Sequence, residues 1–436
     1  MSEALATARR ERLDGWLCLS LAALLGWGLV MVASASVDIA RKSYGSPFYF
    51  FDHQLIFMAF GLALAGVAFA VPMRFWQQRG FWLLALSLLA LAIVLVPGIG
   101  LRVNDSRRWL NLGLFRVQAS EPARLMLLVY LAGYIVRRQA RLQHSLLGLL
   151  PVFLPLLFAA FLMLAEPDFG AASIFMIVAV LMLFLGGARV RDMLGIGVLL
   201  VVAMGLLAIA APYRMERLMS FLDPWAHANN TGFQLVQSLI AIGRGQWFGV
   251  GLGASVEKLL YLPEMHTDFI FAILAEELGL VGVGALLLLY ATLVWRGFVI
   301  GRRAERLEAR FEAYLCYGLS TWLGIQALVN MAVNMGLLPT KGLTLPFISY
   351  GGSSLITALL VAALLLRVDY ETRGAGRASG RLGGHAKEVE GLAVGGNMAD
   401  RPRARTRPGP MPAFASFTSP LRALGGRLFT MRRRLP

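Results

Sequence analysis

Long apolar runs alternate with short polar or basic segments along most of the chain. Each run approaches the roughly 20 residues that an α-helix needs to cross a lipid bilayer. The predicted spans are residues 16–35, 54–72, 80–98, 122–136, 146–165, 170–187, 193–211, 269–295, 313–335 and 348–366. The pattern therefore predicts an all-α polytopic membrane protein. It has about ten transmembrane helices and a large extracytoplasmic loop, about 212–268, between spans seven and eight.

The composition agrees with a chain embedded in a membrane. Of the 436 residues, 58% are hydrophobic and 15% are charged, whereas soluble domains carry about a quarter charged residues. A formal charge of +16 would suggest a nucleic-acid partner in a soluble protein. Here the arginines lie in short loops and in the tail, where topology and anionic lipid explain them, so we expect no nucleic acid. The two cysteines, Cys18 and Cys316, fall in separate predicted spans, and no disulfide or thiolate metal site is expected.

Basic residues mark one side of the membrane. They recur in the loops after spans two, four, six and eight, as Arg74 and Arg79, Arg137, Arg138 and Arg141, Arg189 and Arg191, and Arg302, Arg303, Arg306 and Arg310. By the positive-inside rule these loops and the N-terminus are cytoplasmic, and ten spans place the C-terminus on the same side.

The predicted domain organisation has three parts. Residues 1–15 form a cytoplasmic N-terminal segment, and residues 16–370 form the transmembrane domain. Residues 371–436 are rich in Gly, Arg, Ala and Pro and cannot bury a core, so we expect a basic, disordered cytoplasmic tail.

Polar side chains precede the eighth span. In YLPEMHTDFIFAILAEELG (261–279), Glu264, His266 and Asp268 lie just before a long apolar run. A helix N-terminus leaves N–H groups unpaired and its dipole favours an ionised carboxylate. Asp268, with Thr267 as the expected cap, is therefore a candidate general base or cation ligand. A helix cap at the membrane interface explains Asp268 equally well from spacing alone.

Other residues of this stretch also have structural interpretations. His266 would serve as an interface histidine with a water partner, and Glu264, which follows a proline, would only shape the loop. Glu276 and Glu277 lie about 12 Å further along the helix at 1.5 Å per residue. Carboxylates at that depth need partners, and a structural ion pair would provide them.

The entry of the fourth span is a second polar site. Glu121 and Arg124 are three residues apart and can pair on one helix face, beside Gln118 and Ser120. Such a pair is usually structural, but as a cavity wall these side chains could hold a polar head group. In AEPDFG (165–170), proline and glycine interrupt two apolar runs, which predicts a tight turn with an aspartate as its side-chain acceptor.

Two outer loops offer cations to an anionic ligand. In PTKGLTLPFISYGGSS (339–354), prolines and glycines prevent a regular helix and hydroxyls accompany Lys341, so that the loop could cradle a phosphate. Lys258 lies in the other loop, after a predicted amphipathic helix near residues 233–240. Stray lysines in an arginine-rich chain are the alternative, but orientation demands no positive charge here, which favours anion binding.

The sequence resembles the SEDS family of cell-wall polymerases, and most closely its division member, from about residue 16 to residue 373. The matching motifs are RRWLNLG (107–113), the Q-x-S-E of 118–121, EPDFG (166–170), GFQLVQSLIAIGRG (232–245), GVGLGASVEKLLYLPEMHTDFIFAILAEELG (249–279) and GLLPTKGLTLPFISYGGSS (336–354). The chain departs from the family pattern at Ala119, where proline is common, and at Arg124, where lysine is common.

The resemblance implies a peptidoglycan glycosyltransferase that polymerises lipid II and releases undecaprenyl diphosphate. It would act on the outer face of the cytoplasmic (inner) membrane, at the division septum. Asp268, the aspartate of the HTDF motif, would be catalytic, alone or with a bound divalent cation, Mg²⁺ or Mn²⁺. The implied partners are an FtsI-like class B transpeptidase and other division membrane proteins. Expected substrate-binding residues are Arg107, Arg108, Gln118, Ser120, Glu121, Arg124, Gln234, Lys258, Glu264, His266, Lys341, Ser349 and Ser353.

Two other classes of function remain open. A lipid II flippase would need polar residues through the full membrane depth, whereas here they are concentrated in the outer half. A non-catalytic division scaffold would leave Asp268 dispensable.

Overall fold

The computed structural model describes residues 13–103, 106–111, 113, 116–144, 148–209, 212–258, 264–340 and 342–395. By their contacts, the described residues up to Gly380 form one compact unit and those from Arg381 onward form another. The helices are α1 (Gly15–Tyr44), α2 (Tyr49–Ala70), α3 (Met73–Gln78), α4 (Gly80–Leu95), α5 (Ser120–His144), α6 (Leu150–Ala165), α7 (Phe169–Leu185), α8 (Val190–Ile209), α9 (Pro212–Leu222), α10 (Phe233–Gly245), α11 (Ile270–Arg306), α12 (Arg310–Asn334) and α13 (Gly352–Gly395).

The chain is a helical polytopic membrane protein, as predicted. Each of the ten predicted spans falls on one of these helices. Four helices of the described ranges are long and apolar enough to cross a membrane, namely α1, α2, α11 and residues Gly352–Gly374 of α13. The helices α4, α6 and α7 are apolar but shorter. The number of helices that span the bilayer stays a prediction.

A small antiparallel sheet lies between α4 and α5, where the all-α prediction has only a loop. Its strands are β1 (Gly100–Val103), β2 (Ser106–Asn111) and β3 (Arg116–Gln118), in the order β1-β2-β3. Leu101 opposes Trp109, and Trp109 opposes Gln118. Strands of three to six residues are too short to show a clear period of two, so the sequence carried little sign of them. The sheet leads directly into α5.

The helix α11 is interrupted in its N-terminal part, at Gly279, where φ is 64° and ψ is −165°. Residues 246–251 of the preceding loop pass through the break and take over the hydrogen bonds that the helix loses. The N–H groups of Val250 and Gly251 donate to the carbonyls of Glu276 and Glu277 at 2.9 and 3.1 Å, and those of Leu280 and Val281 donate to the carbonyls of Gln246 and Trp247 at 2.9 and 3.1 Å. Irregular backbone at membrane depth is tolerated when protein groups satisfy it in this way.

Buried ion pairs tie together α1, α11 and α13 at the end of α11 remote from Asp268. The carboxylates are those of Asp14 and Asp369, which are 2% and 0% exposed. Arg303 and Arg373 each lie 2.7 Å from the Asp369 carboxylate, Arg373 also lies 3.0 Å from Asp14, and Arg296 pairs with Asp14. The charges of these two carboxylates are therefore compensated by three guanidinium groups.

The helix α13 continues past the apolar run that ends at Leu366 and through residues assigned to the tail from the sequence. Two ion pairs with i,i+4 spacing support the extension: Arg367 with Glu371 at 2.7 Å, and Arg373 with Asp369 at 2.7 Å. The remainder of the predicted tail, residues 396–436, lies outside the described ranges.

Candidate active site

Asp268 is half-buried in the turn of residues 264–269 that leads into α11. The helix begins at Ile270, and its N-cap position is Phe269, with no side-chain capping bond. The expectation that Thr267 caps the helix is therefore wrong. Its hydroxyl instead donates to the carbonyl and the carboxylate of Glu264 at 3.1 and 2.7 Å, which closes the turn around a left-handed residue, since Glu264 has a φ of 55°.

Three consecutive carbonyl groups of this turn are held by other segments. The bonds are from Tyr350 N to His266 O at 2.9 Å, from Ser349 Oγ to Thr267 O at 2.6 Å, and from Asn330 Nδ2 and Asn334 Nδ2 to Asp268 O at 2.9 and 3.0 Å. The turn is thus attached both to α12 and to the loop between α12 and α13. Its backbone is fixed on either side of the Asp268 side chain.

The loop between α12 and α13 passes directly beside Asp268. Gly342 has a φ of 65°, and a Cβ built there would lie 3.3 Å from Asp268 Oδ2. The Ser349 hydroxyl has two partners, since it accepts from Leu345 N at 2.8 Å and donates to Thr267 O. Ser353 is buried at the start of α13. Lys341 lies outside the described residues.

His266 packs into an aromatic cluster. Its ring centroid lies 4.4 Å from that of Phe50 and 5.6 Å from that of Tyr350. Burial lowers the pKa of His266, although the neighbouring Glu264 carboxylate opposes the shift. The ring is therefore neutral near pH 7, and the geometry fits a packed interface histidine. Glu264, in contrast, is exposed.

The predicted acceptor of the tight turn, Asp168, joins β3 and α5 to α7. One carboxylate oxygen accepts from Gln118 Nε2 and from Ser120 Oγ, each at 2.7 Å. The other accepts from Ala171 N at 3.1 Å and so caps α7. The structure thus brings Gln118 and Ser120 together, and their common partner is a buried protein carboxylate.

The predicted pair of Glu121 and Arg124 is present, with 2.5 Å between its charged atoms. Arg124 is 1% exposed. Its guanidinium also donates to Gln326 Oε1 at 3.1 Å and lies over the ring of Trp322 at 4.9 Å. Since Gln326 and Trp322 belong to α12, the pair links α5 to the helix that holds the Asp268 turn.

Arg107 and Arg108 lie half-buried on β2. Nearby, the carboxyl group of Glu166 is completely buried in the turn between α6 and α7 and has no hydrogen-bond partner within the described ranges. Burial, together with the adjacent Asp168 carboxylate, raises the pKa of Glu166 to about 9, and Arg108 opposes the shift. Sequence reasoning passed over Glu166, although a carboxylate directly before a proline break in two apolar runs was a usable signal.

Glu276 and Glu277 have the partners that their depth in the helix required. Glu276 accepts hydrogen bonds from the Ser255 hydroxyl and, at 3.1 Å, from Val256 N, with Arg244 3.7 Å away. Glu277 accepts from Ser34 Oγ through both oxygens, at 2.7 and 2.8 Å. The two carboxylates therefore hold the loop after α10 and the middle of α1 against α11.

Lys258 is the cation that balances Glu277. Its ammonium lies 3.4 Å from Glu277 Oε1, and it donates to the carbonyl of Gly253. The residue is 8% exposed and borders an apolar cavity of about 590 Å³ along α1. Its expected contact with a diphosphate stays a prediction. Gln234 is half-buried near the start of α10, the helix predicted from the amphipathic pattern at 233–240.

The pattern of the FtsW/RodA/SpoVE family, described as cell cycle protein, matches residues 15–374. The chain belongs to this family. It is 52% identical over 362 residues to a probable peptidoglycan glycosyltransferase FtsW of Thioalkalivibrio sulfidiphilus, covering 83% of this chain and 90% of that protein. It is 49% identical over 360 residues to the similarly named protein of Legionella pneumophila, covering 83% of this chain and 91% of that one.

Solved structures of the FtsW/RodA/SpoVE family share the fold. A chain from a peptidoglycan synthase complex, studied for the coordination of polymerization and crosslinking, matches with a TM-score of 0.68 and 31% identity, covering 83% of this chain and 98% of its own. The rod shape determining protein RodA of Thermus thermophilus matches with a TM-score of 0.61 and 30% identity, covering 82% of this chain and 96% of its own.

For this FtsW/RodA/SpoVE family member, the largest omission of the sequence analysis was the pair Asn330 and Asn334. Both are buried, and both contact the backbone of Asp268. The available signal was their spacing, since two asparagines four residues apart lie on one face of a largely apolar span. Polar residues within a membrane span are costly and usually have a partner.

Proposed function

We propose that this FtsW/RodA/SpoVE family member is a peptidoglycan glycosyltransferase that polymerises lipid II during septal cell-wall synthesis and releases undecaprenyl diphosphate. The observation that carries the proposal is the placement of Asp268. Asp268 is half-buried, its backbone is held on both sides, and Gly342, which has no side chain, lies beside its carboxylate. The names of the curated relatives support the same activity.

In the proposed reaction Asp268 acts as the general base. It takes the proton of the acceptor sugar's 4-hydroxyl while that oxygen attacks the anomeric carbon of the donor. A new glycosidic bond forms as the bond from that carbon to the diphosphate oxygen breaks, with inversion, and the electron pair leaves with undecaprenyl diphosphate. Arg108, Lys258 and Lys341 are proposed to hold the diphosphate. Lys258 would have to exchange Glu277 for the substrate's phosphate.

A divalent cation, Mg²⁺ or Mn²⁺, is a further part of the proposal. Among the described residues, no group of three or more His, Cys, Asp or Glu side chains is arranged to hold a metal ion. Mg²⁺ is commonly bound by only one or two carboxylates together with substrate phosphates. Asp268 as a single carboxylate fits a cation of that kind, which would neutralise charge on the leaving diphosphate.

The proposed location is the cytoplasmic membrane at the division septum, with both termini in the cytosol and the active site on the outer face. The arginine-rich loops support this orientation, because Asp268 and the arginines near the last turn of α11 lie at opposite ends of that helix. The proposed partner is a class B transpeptidase, since a structural relative comes from a complex that couples polymerization to crosslinking.

The test is polymerisation of labelled lipid II by purified protein with its transpeptidase partner, with and without divalent cation. Asp268→Ala and Asp268→Asn should fold normally and make no glycan. Glu308→Gln, which removes one partner of an exposed ion pair with Arg310, should polymerise as the wild type does. Glycan made at the wild-type rate by the Asp268 variants would refute the proposal.

The same preparation separates the alternatives. In vesicles, a flippase would move labelled lipid II between leaflets without making polymer, and a scaffold would do neither. Either result from the wild-type protein with its partner would exclude the polymerase.

A further inference from the structure

We propose that Asn330 and Asn334 are positioning residues that set the direction of the Asp268 carboxylate for proton transfer. The inference rests on the proposed function, because it concerns the group assigned as general base. Both side chains lie within α12 and are 2% and 0% exposed. Neither can reach solvent, so both must act through the protein groups that they contact.

The two carboxamides converge on one atom. Asn330 Nδ2 and Asn334 Nδ2 lie 2.9 and 3.0 Å from the backbone carbonyl oxygen of Asp268. A backbone carbonyl is only an acceptor and has two lone pairs, so two amide donors use its full capacity. Because the carbonyls of Asp268 and Leu343 can only accept hydrogen bonds, the carboxamide atom of each asparagine that faces them must be the nitrogen, Nδ2.

These bonds orient Asp268 because they fix a peptide plane. The Asp268 carbonyl belongs to the peptide group after the residue, and the Thr267 carbonyl belongs to the one before it. Ser349 Oγ donates to the Thr267 carbonyl at 2.6 Å and so holds the peptide group before Asp268. Since each peptide group is planar, anchoring both determines φ and ψ at Asp268. Only its side-chain torsions then remain to be set by the neighbouring loop.

Asn330 has an additional contact that Asn334 lacks. Its Nδ2 also donates to Leu343 O at 2.5 Å, and Leu343 follows Gly342, which approaches Asp268 Oδ2. The second bond of Asn334 Nδ2 remains within α12, to Asn330 O at 2.9 Å. Asn334 therefore acts on the Asp268 backbone alone, whereas Asn330 also places the loop against the carboxylate.

The variants follow from this difference. Asn334→Leu keeps the number and branching of the side-chain heavy atoms and removes one bond to Asp268, so kcat should fall on the order of 10-fold with KM changed less than about 2-fold. Asn330→Leu should cost more, because the loop is released as well. The double variant should lose on the order of 100-fold, since both carboxamide donors to the carbonyl are then removed. Asn334→Ser is a smaller replacement that also cannot reach Asp268, should the leucine prevent folding.

Ser238→Ala is the matched control. The Ser238 hydroxyl is buried and donates to the backbone carbonyl of Asn334 at 2.8 Å, without touching Asp268. Its loss removes one buried bond at the same end of α12. Each variant is assayed as full chain with its transpeptidase partner for kcat, KM, thermal unfolding and the stoichiometry of lipid II binding, which gives the fraction of competent protein.

The proposal predicts that the asparagine variants have a lower kcat per competent molecule, with KM and the stoichiometry of lipid II binding unchanged. Ser238→Ala should keep the wild-type kcat. The proposal is overturned if the asparagine variants keep wild-type kcat per competent molecule, if KM rises instead, or if Ser238→Ala loses as much. Asp268→Asn in the same assay separates the two hypotheses. An active Asp268→Asn refutes the proposed function, whereas an inactive Asp268→Asn with fully active asparagine variants refutes only this inference.

Discussion

The ammonium of Lys258 lies 3.4 Å from the carboxylate of Glu277, and the hydroxyl of Ser34 contacts both oxygens of the same carboxylate. Three segments distant in sequence, in α1, α11 and the loop after α10, thus meet at one buried charge pair. Because neither ion is well solvated, each depends on the other.

Removing one partner should therefore destabilise the protein strongly. We expect Glu277→Gln to lower the free energy of unfolding by about 3–5 kcal/mol, since it leaves a buried ammonium without a counter-charge. The double variant Lys258→Met, Glu277→Gln should recover much of the loss, because no unpaired charge remains. Thermal unfolding in detergent measures both, with the exposed pair variant Glu308→Gln as control. A Glu277→Gln protein as stable as that control would contradict the expectation.

Alanine substitutions at two glycines with similar backbone torsions can distinguish the effect of backbone strain on stability from an effect on catalysis. Gly342 and Gly336 have φ values of 65° and 68°, so alanine at either position costs about 1–3 kcal/mol in strain. At Gly342 the added Cβ would also lie 3.3 Å from Asp268 Oδ2, whereas at Gly336 its nearest neighbours are leucine side chains at 3.6 Å. Similar losses of stability are expected, with polymerisation reduced at least about 10-fold only in Gly342→Ala. Equal activity in lipid II polymerisation would show that the close approach has no effect on the carboxylate.

The buried carboxyl group of Glu166 should make stability depend on pH. Its pKa is raised from 4.5 to about 9 by burial, so unfolding releases a proton throughout that interval. The free energy of unfolding therefore falls as pH rises from about 5 towards 9. In Glu166→Gln this contribution is absent, and the stability of the variant relative to the wild type should grow with pH. Thermal unfolding of both proteins, measured from about pH 5 to about pH 9, checks this. If the difference in free energy of unfolding between Glu166→Gln and the wild type stays constant with pH, Glu166 is ionised in the folded protein.

The sequence predicted the helices and local pairs but not the long-range contacts. A helix that crosses a bilayer needs about 20 predominantly apolar residues, so the runs at residues 16–35 and 269–295 located α1 and α11. The pair of Glu121 and Arg124 follows from its three-residue spacing. The counter-charge of Lys258 could not be deduced, because Glu277 is 19 residues away and only the fold brings it near.

Two further features also depend on tertiary structure. The short strands between residues 100 and 118 have too few residues to show a period, and the amides of Asn330 and Asn334 reach Asp268 across 62 and 66 residues. At Asp268, the residue types alone left a helix cap and a general base equally open. The carbonyl anchors that distinguish this turn from an ordinary helix start become visible only in three dimensions.

The interruption of α11 at Gly279 constrains how this part of the chain can evolve. The four bonds that bridge it join main-chain atoms only, so the exposed side chains of Trp247 and Phe248 can change without breaking them. Gly249 cannot change in this way, because its φ is 79° and an added Cβ would clash with the Glu277 carbonyl oxygen. An inserted or deleted residue would shift every donor away from its acceptor at once. Among homologues, the loop of residues 246–251 should therefore keep a constant length and glycine at positions 249 and 251, while its other side chains vary.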